Sequence, residues 1–482
     1  MKTGILSWGA YLPRRRLARA AIAHALAWRA QEQKKPPAGE RAYGNWDEDS
    51  LTMAVEAARD ALRGGGVGAS PGALHLASTT LPFADRSNSG LVADALSLAN
   101  PLATQDATGS QRAGTSLLLQ ALSGHGARPA TLVAAADRRR TRAGSPEEQA
   151  YGDGASAVLV GQGTLAAEFL GGTSVATDFV DHYRESSAEH DYTLEERWIR
   201  TEGHQKLIPA AIAALLTELH LSPDAVRHFV FAAPFAAALQ VARVAGLAAE
   251  TVTDAKLERC GHTGTAHPLL MLGAVLDTAG PDELILLVGF GQGVDVLALR
   301  TTAALSTVVA RGAVDRALAA GRTDNAYVRF LSHGGALDMD WGMRAERDSR
   351  TAQSSHYRKH RDLNGFVGGR CRACGAVQFP RSRACVNPQC RAFDTQAEYV
   401  LAQSLGRVKT YTEDWLAFVP EPPLQYGNVN FSEGGNVFIE FTDVEPGELS
   451  VGATVRFVFR IKDVDHVRGF HRYFWKATLV RN

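Results

Sequence analysis

Thiols are the scarcest chemistry in this 482-residue chain, which holds five cysteines. Four of them, Cys371, Cys374, Cys385 and Cys390, fall in one short stretch. Cys260 is therefore alone in the preceding 370 positions, which excludes a disulfide scaffold there and narrows covalent thiol chemistry to one residue. An excess of either charge is also missing, because 51 basic side chains meet 51 acidic ones. No global field exists to draw nucleic acid or an anionic membrane, so neither is expected as a partner. No apolar run reaches the ~18 residues needed to span a bilayer. No charged and then apolar leader opens the sequence, so the expected compartment is the reducing cytoplasm. The glycine-rich turns are too short and wrongly placed for a phosphate loop or dinucleotide fingerprint, which excludes a nucleotide cofactor.

What is present begins with the tetrad, spaced C-x2-C-x10-C-x4-C. Its two knuckles allow four thiolates to meet around one tetrahedral ion. Zinc with four sulfur ligands has no open position for water, so the expectation is a structural zinc site; two disulfides or an iron site are the alternatives. Upstream, β-like apolar runs alternate with alanine-rich helical stretches over about the first 300 residues, which predicts layered α/β architecture. The strand candidates start at Gly4, Thr131, Ala155, His228 and Leu284. A helix is expected from Asp49 or Ser50, with Leu51, Val55, Ala58 and Leu62 at helical spacing. Glycine punctuation at Tyr151-Gly-Asp-Gly and Gly289-Phe-Gly-Gln-Gly falls at similar places in two halves and points to an internal duplication. Residues 343–363 carry a dense mix of charges and read as a solvated linker. Beyond the tetrad, Val455, Phe457, Phe459 and Ile461 alternate with Arg456, Arg460 and Lys462, the pattern of a half-buried antiparallel strand. Four or five such strands predict a small closed barrel.

Gly9-Ala-Tyr-Leu-Pro-Arg, Asp47-Glu-Asp-Ser-Leu-Thr-Met, Gly152-Asp-Gly-Ala-Ser-Ala, Gly261-His-Thr-Gly-Thr-Ala and Gly289-Phe-Gly-Gln-Gly together resemble the thiolase superfamily, in its hydroxymethylglutaryl-CoA synthase and ketoacyl synthase III branch. Cys371-x2-Cys374-Gly, Phe379-Pro-Arg, Gly406-Arg-Val-Lys-Thr-Tyr-Thr and Arg472-Tyr-Phe-Trp-Lys476 resemble the zinc-ribbon/OB-fold domain that accompanies thiolase-like proteins. The resemblance implies a duplicated, five-layered αβαβα domain with halves at 1–170 and 171–303. A helical connector at 304–367, a zinc ribbon at 368–393 and an OB-fold at 394–482 follow. It also implies CoA as substrate carrier, an acyl-CoA thioester as ligand, a homodimer, and a thiolase as a possible partner.

Synthases of this family join carbon atoms with a cysteine nucleophile, a glutamate, a histidine, an asparagine and an oxyanion hole. Alignment with those motifs puts Gln111, or Ser110 if the register slips by one, at the nucleophile. Thr79 falls at the glutamate, Ala232 at the histidine and His262 at the asparagine. With no thiolate to carry an acyl group, aldol or retro-aldol chemistry on a CoA thioester is the expected reaction. His262 is then the expected base, Cys260 or His267 would assist, and Gly291 or its neighbours would donate to the oxyanion. A second cluster offers His182 with Asp178 or Asp181, and Arg184, to bind an acyl group. The rival expectation is a non-catalytic subunit that presents acyl-CoA to a separate thiolase.

Overall fold

Continuous runs of small and branched apolar residues suit strands covered on both faces, and the strand Thr131–Asp137 is buried at every position. It lies within a nine-stranded sheet built from β1 (Gly4–Tyr11), β2 (Ala73–Ala77), β3 (Ala103–Ala107), β4 (Thr131–Asp137), β5 (Gly154–Gly161), β6 (Ala167–Ala176), β7 (Val226–Phe231), β8 (Leu284–Phe290) and β9 (Gly293–Thr301). The order is β7-β8-β9-β6-β1-β5-β4-β2-β3. Within the sheet, the strands of the two halves pair where Gly4 and Ile5 meet Glu168 and Ala167. Gly4 is required at that seam, because a Cβ there would lie 2.0 Å from the Ala167 carbonyl oxygen.

The computed structural model describes residues 2–29, 37–64, 70–124, 130–307, 312–348, 350 and 352–481. They divide into a unit of Met1–Gly44, Asp49–Gly90 and Ala99–Leu337 and a second of Asn45–Glu48, Leu91–Leu98 and Asp338–Asn482.

In the first unit, helix α1 (Ser50–Gly64) covers β1, β4 and β5. Asp49 caps it as expected: its Oδ1 accepts from the Thr52 N–H, and Thr52 Oγ1 accepts from the Asp49 N–H, both at 2.9 Å. Helices α2 (Ala113–Ser123) and α5 (His267–Thr278) lie between the two half-sheets, and α3 (Ile208–Glu218), with α4 (Phe235–Val244) beside it, backs the second half. Helix, sheet, helix, sheet, helix is the five-layered order expected from the sequence. All five predicted strands are present.

In the second unit, a ribbon of β10 (Val367–Cys371), β11 (Val377–Gln378) and β12 (Gln396–Val400) carries the cysteines. A five-stranded antiparallel sheet follows: β13 (Leu405–Asp414), β14 (Leu424–Phe431), β15 (Asn436–Glu440), β16 (Thr454–Asp465) and β17 (Phe470–Leu479), in the order β15-β14-β13-β16-β17. Of the expected closed barrel, the structure shows this five-stranded sheet. Among the described residues its edges meet at a single bridge, Phe441 to Ala477, because β15 ends after five residues and offers no ladder to the ten-residue β17. The expected polar face of β16 is also partly covered, since Val458 and Arg460 are both fully buried. Arg460 reaches Glu48 at 3.1 Å and Asp443 at 2.9 Å, and Lys476 reaches Asp47 at 2.9 Å while lying over the Trp46 ring.

Candidate functional site

The residues expected to do chemistry gather just past the C-terminal ends of β2, β4, β7 and β8, where open α/β sheets leave a crevice. Thr79 follows β2, Arg138 to Arg140 follow β4, Ala232 follows β7 and Gly291 follows β8. The N-terminus of α2 points into the same place and brings Ser110 and Gln111.

Cys260, His262 and His267 lie in one segment and contact its backbone and that of neighbouring turns. Gly152 and Gly261 let Tyr151 bridge His262: a Cβ on Gly152 would lie 1.9 Å from the Cys260 oxygen, and Gly261 has φ +74°. His262 Nδ1 accepts from the Gly264 N–H at 3.2 Å and its Nε2 donates to the Ala232 oxygen at 3.1 Å. His267 repeats the pattern, accepting from the Thr263 N–H at 3.1 Å and donating to the Ala255 oxygen at 2.9 Å. The rings stack at 4.7 Å. Burial, with neighbouring His267 and Arg139, pushes His262 well below the usual imidazole range, and burial brings His267 down to about 4. Both are neutral rings with each nitrogen engaged. The Cys260 thiol faces the Lys256 and Gly261 carbonyls, each at 3.4 Å, and burial pushes it up to about 12, so it carries almost no thiolate. Gly291 is engaged too, donating its N–H to the Gly293 oxygen at 3.1 Å and accepting from Ser110 Oγ at 2.6 Å.

The second cluster behaves differently. Gln111, His182 and Arg184 are drawn together with three residues the sequence reading did not single out as ligands: Arg139, Asp191 and Tyr151. With the Gln111 carboxamide turned to satisfy its neighbours, its oxygen accepts from Arg139 at 2.6 and 2.8 Å and from His182 Nε2 at 2.9 Å. His182 Nδ1 lies 2.7 Å from Asp181 Oδ2, so Asp181, not Asp178, is its carboxylate partner. Arg139 also binds Asp191, donates to the Tyr151 hydroxyl at 2.5 Å and lies over the Tyr151 ring at 3.6 Å. Arg184 joins Asp191 at 2.9 Å and donates to the Thr79 oxygen. Burial pushes the Asp191 carboxyl up, but Arg139, Arg184 and His182 outweigh it and hold it below the usual carboxylate range. The signal for Arg139 was three consecutive arginines directly after the strand Thr131–Asp137; nothing local marked Asp191. Thr79, at the glutamate position, gives its N–H and Oγ1 to Asp137 at 2.7 and 3.1 Å.

In the second unit the sulfurs of Cys371, Cys374, Cys385 and Cys390 lie within 4.8 Å of one another, with pairs at 3.9 and 3.6 Å. Four zinc–thiolate bonds of about 2.3 Å in a tetrahedron place sulfurs roughly 3.8 Å apart, so this donor set fits the ion.

This architecture defines a thiolase-superfamily protein with a zinc ribbon. The ribbon matches the model described as ChsH2, rubredoxin-like zinc ribbon domain, at residues 358–396. The fold resembles MvaS in complex with 3-hydroxy-3-methylglutaryl coenzyme A, with a TM-score of 0.59 at 18% identity, covering 68% of this chain and 91% of the other. It also resembles 3-oxoacyl-(acyl carrier protein) synthase III from Pseudomonas aeruginosa PAO1, with a TM-score of 0.54 at 20% identity, covering 63% and 99%. In sequence the chain is 32% identical to the hydroxymethylglutaryl-CoA synthase of Caldivirga maquilingensis over 301 residues, which is 61% of this chain and 85% of that protein. It is 30% identical to the synthase of Aeropyrum pernix, covering 60% of this chain and 82% of that protein. The chain belongs to the hydroxymethylglutaryl-CoA synthase family.

Proposed function

We propose that this protein handles acyl-CoA thioesters and makes or breaks a carbon–carbon bond by aldol or retro-aldol chemistry, without an acyl-enzyme. The observation that carries the reading is Gln111. At the α2 N-terminus, where the family pattern has a cysteine, stands a carboxamide held by Arg139 and His182. An amide cannot act as an acyl carrier, whereas aldol chemistry needs only a proton acceptor and donors for an enolate oxygen. Zinc on the four-cysteine ribbon has a structural part in this reading. Incubation of the purified protein with a panel of β-hydroxyacyl-CoA thioesters is expected to release a shorter acyl-CoA and a carbonyl product. Intact-mass analysis during turnover should show no acyl adduct, and an adduct at position 111 or Ser110 would falsify the non-covalent reading.

A second reading, a subunit that presents acyl-CoA to a separate thiolase, is favoured by the engaged state of His262, His267 and Cys260. It predicts binding of acyl-CoA with no turnover until a thiolase is added to the same assay.

A further inference from the structure

The sequence between β6 and α3 forms a small hairpin, His182–Tyr183 against Tyr192–Thr193. It has no hydrophobic core of its own, and Tyr183 and Tyr192 are largely exposed. Polar contacts fix it instead. Gln292 Nε2 donates to the His182 oxygen at 2.8 Å, the Leu194 N–H donates to the Asp181 oxygen at 2.9 Å, and Arg184 ties Asp191 to the Thr79 carbonyl. The result is one imidazole set against the residue at the nucleophile position. Asp181 holds His182 Nδ1 with Oδ2, while its Oδ1 is buried with no hydrogen-bond partner. A carboxylate that orients an imidazole from the back is an arrangement for moving protons once a ligand displaces the Gln111 oxygen from the ring's outer nitrogen.

We infer that Asp181 and His182 are the proton-transfer pair of this site and act on CoA thioesters, an inference that rests on the acyl-CoA reading above. His182 Nε2 is the catalytic atom and Asp181 is the positioning residue. In condensation the neutral ring, with Nδ1–H held by Asp181 and Nε2 unprotonated and released from the Gln111 oxygen, takes a proton from C2 of the thioester onto Nε2. The enolate carbon adds to a ketone or aldehyde carbonyl, and the same proton passes to the new alkoxide, so one C–C bond forms, one C=O π bond is lost and nothing else is consumed. Cleavage is the reverse: the β-hydroxyl proton goes to Nε2, the C–C bond breaks toward the thioester, and C2 is reprotonated. The Gln111 carboxamide, with its oxygen held by Arg139, offers its NH2 as the donor for the thioester oxygen.

The test follows the exchange of the C2 protons of acetyl-CoA in deuterium oxide by NMR, on the full chain, with acetyl-CoA affinity measured in parallel by calorimetry. The wild-type protein is expected to exchange them. His182→Gln and Asp181→Asn should each slow exchange by about 100-fold or more, the range for loss of a general base, while the Kd for acetyl-CoA stays within about twofold and the thermal midpoint is retained. Using two variants guards against one that fails to fold. Exchange that persists in a folded His182→Gln variant overturns the pair and leaves the acyl-CoA reading standing. Wild-type binding without any exchange overturns the pair and favours the presenting subunit. A wild-type protein that neither binds nor exchanges overturns both.

Discussion

A histidine with both ring nitrogens engaged by backbone has neither a free lone pair nor a loose proton, and His262 and His267 are both in this state. They are expected to act on stability. His267 sits at about 4 when folded, against about 6.5 when unfolded. Below pH 6.5 the unfolded chain therefore binds more protons than the folded one. The contribution of the neutral ring is complete above that value and is lost as pH falls towards 4. At pH 5 the loss amounts to about 2 kcal/mol. Denaturant unfolding at pH 7 and pH 5 should show a smaller difference in His267→Gln than in the native protein; an unchanged difference would reject this account. Cys260 is expected to be equally inert. Alkylation of the native protein at pH 8 should leave it unmodified on peptide mass mapping, and Cys260→Ala should keep thioester affinity at a cost of about 1 kcal/mol in stability.

At the scale of elements, the segment after β4 and the turn before β5 matter most, because they set Tyr151 and Arg139 against the loop that carries Asp191. Gly152→Ala would press a methyl onto the Cys260 carbonyl at 1.9 Å. It should cost roughly 3 kcal/mol or more and weaken acyl-CoA affinity with it, as read from unfolding midpoints and titration calorimetry. In the ribbon, metal analysis should return one zinc per chain. Cys374→Ser should lose that zinc and the cobalt–thiolate absorption of the substituted protein, whereas retention of both would place the metal elsewhere. Periodicity alone revealed the strands, because a strand buried on both faces is written as an unbroken apolar run. The same signal misread β16. Alternation at Arg456, Arg460 and Lys462 is what solvent exposure looks like locally, yet Arg460 is fully buried because acidic partners cover it. Nothing within β16 encodes a neighbour that is distant in sequence.

Considered whole, the chain puts residues from three stretches into its second unit. Asn45–Glu48 supplies Asp47 and Glu48, the acceptors for Lys476 and Arg460. Buried cations without those acceptors carry a penalty of several kcal/mol each. Residues 338–482 expressed alone should therefore lack cooperative unfolding and near-ultraviolet dichroism that the full chain displays, and Lys476→Met should destabilise the full chain by about 3 kcal/mol or more. A fragment that melts as sharply as the intact protein would remove this argument.

The layered α/β order, the cysteine ribbon and the presence of Gln111 where the family resemblance implies a nucleophile were legible in the sequence, since periodicity, ligand spacing and motif register are local properties of the chain. The tertiary structure decided which side chains meet at that position. It engaged His262, His267 and Cys260 with backbone groups, chose Asp181 for His182, and brought Arg139, Asp191 and Tyr151 to Gln111. Hydrogen-bond partners and burial are set by elements far apart in sequence, and no spacing within one segment records them.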